Sequence, residues 1–162
     1  PQMHGELLVP LIREVLGEFT LEQLDGIAVG TGPGPYTGLR IGLVTAETLA
    51  HVAGLPVFGV SSLDAIAHGV RRQGHRGSLV ASIDVKRKEF AAATYDEHDR
   101  PVFGPKLVPA DSVSHSQAPS AADVAFIAIV RALRGEEQPV TPLYLRHPDA
   151  TVSTTKKSTV QR

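Results

Sequence analysis

Residues 30 to 42 read GTGPGPYTGLRIG, with five glycines and two prolines in thirteen positions. The stretch lies between an apolar strand-like run and a helix-like run. Such a loop could cradle a phosphate, because backbone N–H groups point at the anion and a helix N-terminus lies behind it. The residue types argue for a narrower role. A Walker loop ends in Lys followed by Ser or Thr, whereas this loop runs YTGLR. A dinucleotide fingerprint needs G-x-G-x-x-G and an acidic residue after the next strand. Gly30, Gly32 and Gly34 are present, but Pro33 and Pro35 remove two N–H donors from the cradle. The loop therefore reads as a rigid strand-to-helix turn without a tightly held phosphate or other cofactor. Gly32, Gly34, Thr37, Gly38 and Arg40 are its structural residues.

Other chemistry is sparse. Asp84, Lys86, Arg87 and Glu89 form the densest polar cluster, but on a hairpin they read as a solvated turn. The seven histidines (His4, His51, His68, His75, His98, His115 and His147) include no pair spaced i, i+4 on one helix. No metal site and no catalytic residue is assigned. The absence of cysteine excludes disulfides, thiolate catalysis and Cys-based zinc sites, and fits a cytoplasmic address.

These residues need elements to position them. HGELLVPLIREVLGE (4–18) carries Leu7, Leu8, Leu11, Ile12 and Val15 at helical spacing, with Pro10 expected to kink the helix or confine it to the part after Val9. DGIAVG (25–30) reads as a buried strand. Thr37 is expected to cap a helix running to Ala53, stopped by Gly54. PVFGV (56–60) is a second strand, and SSLD (61–64) opens a helix over 62–70 as a capping-box variant. RRQGHRG (71–77) is a basic loop and a candidate lobe boundary. SLVASIDV (78–85) and EFAAATYD (89–96) form a hairpin. A helix over 119–135 is capped by Ser120 and Asp123 and stopped by Gly135. PLYLR (142–146) is a short final extended piece. Strands alternating with helices, followed by a hairpin, predict an α/β fold with a mixed sheet.

The chain has 162 residues, 42% hydrophobic and 20% charged, which suits one globular domain or two small lobes. A net charge of -1 supplies no overall basic field to hold nucleic acid. No apolar run approaches the ~18 residues of a membrane span, and no signal peptide is visible. The opening PQMHGELL lacks an initial Met and enters a helix almost at once, so either a leader is removed or upstream residues are absent.

GPGPYTGLRIGLVTAETLAHVAGLPVFGVSSLDAIA closely resembles the TsaB (YeaZ) family. HGELLVPLI, SIDVKRKEFAAATY and TPLYLR resemble its first helix, its strand pair and its C-terminal P-x-Y-L-R, so the likeness covers most of 4–147. Pro35 and Tyr36 replace the commoner Ser-Phe, and Val85 replaces Ala. The family's first strand, with D-T-[AS]-T and a hairpin, has no counterpart here. The stretch 112–125 also looks short for the family's second lobe.

The resemblance implies an actin/sugar-kinase/Hsp70-like (ASKHA) fold in two lobes of mixed sheets flanked by helices. The expected division is an N-terminal lobe over 1–75, incomplete at its start, a C-terminal lobe over 76–149 and a flexible tail over 150–162. It further implies a non-catalytic partner of TsaD, with TsaE in the full complex, in forming threonylcarbamoyladenosine beside the anticodon of tRNAs reading ANN codons. The tRNA would be met only through the complex, and the chain alone would form a homodimer. The paralogue's H-x-x-x-H metal ligands correspond to Ser62 and Ile66, a poor ligand and a non-ligand. A stand-alone ATP-dependent enzyme of the same fold is the alternative, and an M22-type peptidase is the weakest reading.

The association surface is expected on helices 4–18 and 37–53, at Leu8, Ile12, Leu43 and Ala46. Gly38, Gly42, Ala46 and Ala50 form a small-residue ridge that suits close packing, either on the protein's own sheet or on a partner helix. If all four candidates were instead intramolecular core, a charge there would unfold the monomer.

Overall fold

The computed structural model describes residues 4–86, 88–113 and 117–145. Arg87, His115, Arg146, His147 and the tail 150–162 lie outside the described residues. The chain runs α1 (His4–Leu16), a 3-10 turn, β1 (Ile27–Gly32), α2 (Tyr36–Ala53), β2 (Val57–Ser61) and α3 (Ser62–Arg72). Then follow β3 (Leu79–Asp84), β4 (Glu89–Tyr95), β5 (Pro101–Pro109), a second 3-10 turn and α4 (Ala121–Leu133).

β1 and β2 pair in parallel, with Ile27 opposite Val57 and Gly30 opposite Val60. The Ile27 N–H donates to the Pro56 carbonyl, so Ile27 and Val29 turn their peptide groups toward β2. Ala28 and Gly30 then present theirs at the other edge, where β1 has no strand neighbour among the described residues. β3, β4 and β5 form a separate antiparallel sheet in that order.

α3 joins the two sheets. Its apolar residues Leu63, Ile66 and Ala67 recur at i, i+3 and i+4 and bury against Leu79, Ala81, Ala93 and Tyr95. Ala65, on another side of the helix, joins Val60, Val124 and Ala128 in a second cluster, with Ala28 and Phe58 packed against it. α4 thus folds back onto β1, β2 and α3, although a boundary at 75/76 would assign it to the later lobe. By strand alternation Ile27, Val29 and Thr31 face the opposite side, where α2 packs, so the two-stranded sheet lies between helices.

Several expectations move. α1 runs through Pro10 rather than starting after Val9. The first strand extends to Gly32, which shortens the turn to residues 33–35. α2 begins at Tyr36 with Pro35 as its cap, so Thr37 is not the cap. Pro35 has φ -59, already set for a first turn, and its carbonyl accepts the Leu39 N–H at 3.0 Å. β5 is a strand with no counterpart in the sequence reading, since its two terminal prolines and internal Gly104-Pro105 hide it. The serine caps and the α2 stop agree with expectation, but Asp64 and Asp123 bond residues of other elements and close no capping box. Gly54 closes α2 at φ 67, ψ 29, and Ser61 and Ser120 accept from Leu63 and Ala122 N–H groups.

Candidate functional site

The loop after β1 is crossed by the chain's own later segment. The Leu143 N–H donates to the Thr31 carbonyl at 2.8 Å, and a Cβ at Gly32 would stand 3.1 Å from the Leu143 carbonyl. Pro33 is fully buried. The Tyr144 ring lies 5.1 Å from that of Tyr36, at the start of α2. Gly32, Gly34, Thr37, Gly38 and Arg40 therefore sit where strand, turn and helix meet. Gly34 and Gly38 face open space, and Thr37 and Arg40 are exposed on the first turns of α2. Arg40 donates to the Tyr36 hydroxyl at 3.1 Å and lies 5.4 Å from its ring centroid.

The four association candidates divide. Leu43 and Ala46 are buried, with Ala50, on the inner side of α2. They belong to the molecule's own packing and correct the expectation of an outward pair. The shift has a geometric cause: residues 43, 46 and 50 share one helix face, and β1 and β2 claim that face. Leu8 and Ile12 are half-buried, on a helix that packs against α2. The apolar side chains that do face outward are Leu7, Leu11 and Val15 on α1, with Tyr36, Val44 and Val52 on α2. A groove of about 430 Å³ runs along α2, lined by Tyr36, Thr37, Arg40, Ile41, Val44 and Thr45. The small-residue ridge is split in the same way. A Cβ added at Gly38 or Gly42 would meet nothing within 4 Å, whereas Ala46 and Ala50 are buried.

Ser62 and Ile66 occupy the first turns of α3 and are both buried, Ile66 within the cluster against the three-stranded sheet. Among the described residues no three His, Cys, Asp or Glu side chains gather where they could hold a metal ion. No described helix is long and apolar enough to cross a membrane. Asp84 bonds the Lys86 N–H at 2.6 Å and the Lys86 ammonium at 3.2 Å, which makes the β3–β4 connection a polar turn.

Two polar groups that sequence reading treated only as helix caps join α3 to its neighbours. Asp64 accepts from the Tyr95 hydroxyl at 2.6 Å and from the Arg131 guanidinium at 2.7 Å. Burial, then the Asp64 charge and hydrogen bond, push the Tyr95 hydroxyl far above the ordinary tyrosine range. Asp123, itself buried, meets His68 at 2.9 Å and Arg72 at 3.2 Å. Burial opposes its ionisation, but the His68 and Arg72 hydrogen bonds and the Arg72 charge prevail and hold its carboxyl below the usual range. The spacing of Ser61 with Asp64 and of Ser120 with Asp123 showed caps; it held no sign of these partners 31 or more residues away.

A mixed α/β molecule of two small sheets joined through a shared helix, with an open helical face and a loop closed by its own chain, is the class defined here. The same architecture is found in YeaZ from Pseudomonas aeruginosa, with a TM-score of 0.74 and 25% identity over 88% of this chain and 85% of that one. Residues 1–135 match the family model described as TsaD, tRNA N6-adenosine threonylcarbamoyltransferase. An uncharacterised protein of Mycobacterium tuberculosis is 34% identical over 91% of this chain and 77% of its own length. The tRNA threonylcarbamoyladenosine biosynthesis protein TsaB of Escherichia coli is 32% identical over 64% of this chain and 46% of its own length. The chain belongs to this family, on its TsaB (YeaZ) side.

Proposed function

We propose that the chain is a non-catalytic partner of a TsaD-type protein in forming threonylcarbamoyladenosine beside the anticodon of tRNAs that read ANN codons. The observation that carries this reading is the burial of Ile66 in an apolar cluster, at a position where the resemblance expects a paralogue's metal ligand. A carbon side chain locked into a core offers no donor atom. Family membership and the TsaB relative support the pathway. The outward apolar residues of α1 and α2 support association through that face, with Leu8 and Ile12 at its inner margin. The proposed assembly is a homodimer alone and a complex with the TsaD-type protein and TsaE in function, with tRNA met through that complex.

The two-lobe ASKHA arrangement belongs to the same proposal, with a boundary near 75/76. The edge of β1 at Ala28 and Gly30, which has no strand neighbour among the described residues, supports a place for a further strand, as the resemblance expects. The loop at 33–35 fits a turn rather than a phosphate cradle, because Leu143 and the buried Pro33 close it.

Reconstitution tests the reading. Purified chain is incubated with tRNA, a threonylcarbamoyl donor and ATP, with and without a TsaD-type protein, and the modified base is measured by mass spectrometry of digested tRNA. The expected result is no product from the chain alone and an increase when it is added to the TsaD-type protein. Product from the chain alone would establish the enzyme reading instead. Tight ATP binding in calorimetry without a partner would favour a stand-alone ATP-dependent protein.

A further inference from the structure

We propose that Tyr36, Tyr144 and Arg40 form a contact for single-stranded RNA, in which an unpaired base stacks on the tyrosine rings and Arg40 meets a backbone phosphate. The proposal rests on the functional reading above and adds to it a contact that this chain makes with the RNA itself.

The two rings come from distant parts of the chain, one at the first residue of α2 and one in the segment that closes the glycine loop. Their centroids lie 5.1 Å apart, with the planes tilted by 40°. Packing has not hidden them: Tyr36 is 47% exposed and Tyr144 40%. An open aromatic pair offers π-surface to any base, and such stacking holds unpaired nucleotides with little regard to sequence. Arg40 stands beside the pair, 5.4 Å from the Tyr36 centroid, and one of its donors goes to the Tyr36 hydroxyl at 3.1 Å. The described residues give it no carboxylate partner, so the rest of its planar fork remains for an anion.

The surroundings suit a nucleic-acid strand better than a free nucleotide. The groove of about 430 Å³ that starts at Tyr36 has Arg40 as its only charged lining residue, and no carboxylate lines it to repel a phosphate. Thr37 and Thr45 add hydroxyls to the same groove. Around Gly34 and Gly38 the space is open. The net charge of -1 is also unevenly spread. Residues 146–162, which follow the second ring in sequence, hold Arg146, Lys156, Lys157 and Arg162 against Asp149 alone. A basic run beside stacking rings matches a ligand whose phosphates repeat along a chain. A mononucleotide held by its phosphates would instead need the backbone donors that Pro33 and Pro35 remove.

Fluorescence anisotropy with the full chain tests the contact. The probes are a labelled RNA hairpin whose loop carries the anticodon of an ANN-reading tRNA, and a fully paired RNA duplex of the same length. The hairpin is expected to bind about tenfold more tightly than the duplex. Tyr144→Ala should weaken hairpin binding about tenfold, whereas Tyr144→Phe, which keeps the ring, should bind as the wild type does. Arg40→Gln should reduce the slope of log affinity against log salt by roughly one. Thermal melts confirm that each variant folds. If Tyr144→Ala does not, thiouridine crosslinking of the loop to the wild-type chain decides: adducts on Tyr36 or Tyr144 support the proposal, and adducts elsewhere alone overturn it. No hairpin binding, equal binding of the duplex, undiminished affinity in folded Tyr144→Ala, a Phe variant as weak as the Ala variant, or an unchanged salt slope in Arg40→Gln would each overturn it. Full displacement of the hairpin by free ATP would assign the rings to a mononucleotide and overturn it too. So would capture of a TsaD-type protein that is lost in Tyr144→Ala while hairpin binding stays intact. The reconstitution assay is read separately: stimulated modification by a chain that binds no hairpin removes this proposal and leaves the functional reading standing, and hairpin binding through the rings without stimulation does the reverse.

Discussion

Asp64 binds two groups from distant parts of the chain, the Tyr95 hydroxyl and the Arg131 guanidinium. Replacing it by Ala leaves a buried hydroxyl and a half-buried cation without their acceptor, and should cost about 2–4 kcal/mol in denaturant unfolding. Because Tyr95 is held neutral by burial and by Asp64, its folded-state ionisation lies above its unfolded one. Its contribution is present in full below the unfolded value, about pH 10, and falls away as pH rises beyond it. Tyr95→Phe should therefore flatten the alkaline limb of a stability–pH curve. Asp123 has the opposite sign, since its folded-state value is depressed. Its contribution is present above the unfolded value, about pH 4, and is lost as pH falls through the lower folded value. Asp123→Asn should lower stability at neutral pH and flatten the acid limb, measured by melts between about pH 2 and 6. On α2, neighbouring positions should part company: Ala46→Arg puts a charge at a site only 7% exposed and should unfold the monomer, whereas the exposed Val44 tolerates Arg.

The elements depend on a few backbone positions. Gly59 on β2 lies under the last segment: its N–H donates to the Gln138 carbonyl, and a Cβ there would strike the Pro139 carbonyl and the Thr31 methyl. Gly59→Ala should push 138–143 off the sheet edge and lower the melting temperature by well over the few degrees of an ordinary surface change. Gly54 closes α2 at φ 67 with open space around it, so Gly54→Ala should cost only about 1 kcal/mol, from backbone strain alone. The contrast between the two, in one denaturation series, separates steric exclusion from conformational strain. Patterning found α2, α3, α4 and the β3–β4 hairpin, because each has a periodic apolar face and a cap or turn within reach of its own ends. It missed β5, whose outward side chains and prolines carry no apolar alternation.

At the scale of the whole molecule α4 is the closing piece. Val124 and Ala128 complete the cluster with Val60 and Ala65, while Asp123 and Arg131 hold α3 from either end. A chain ending at residue 113 would leave Ala28, Phe58 and Val60 uncovered. It should lose cooperative thermal unfolding, read by circular dichroism, even though every element of its first half is present.

Local pattern alone determined the helices with their serine caps, the first two strands, the hairpin and the family likeness, since these depend on residues a few positions apart. That Ile66 offers no donor atom where the resemblance expects a metal ligand was also legible, because the residue type alone decides it; its burial was not. Tertiary structure alone decided which side of α2 faces out. Leu43 and Ala46 suit a partner and a sheet equally well by spacing, and only the placement of β1 and β2 turned them inward. It also decided that Leu143 closes the glycine loop and that Asp64 and Asp123 reach beyond their caps. Those contacts join residues 31 to 112 positions apart, and no local period encodes a pairing across such a separation.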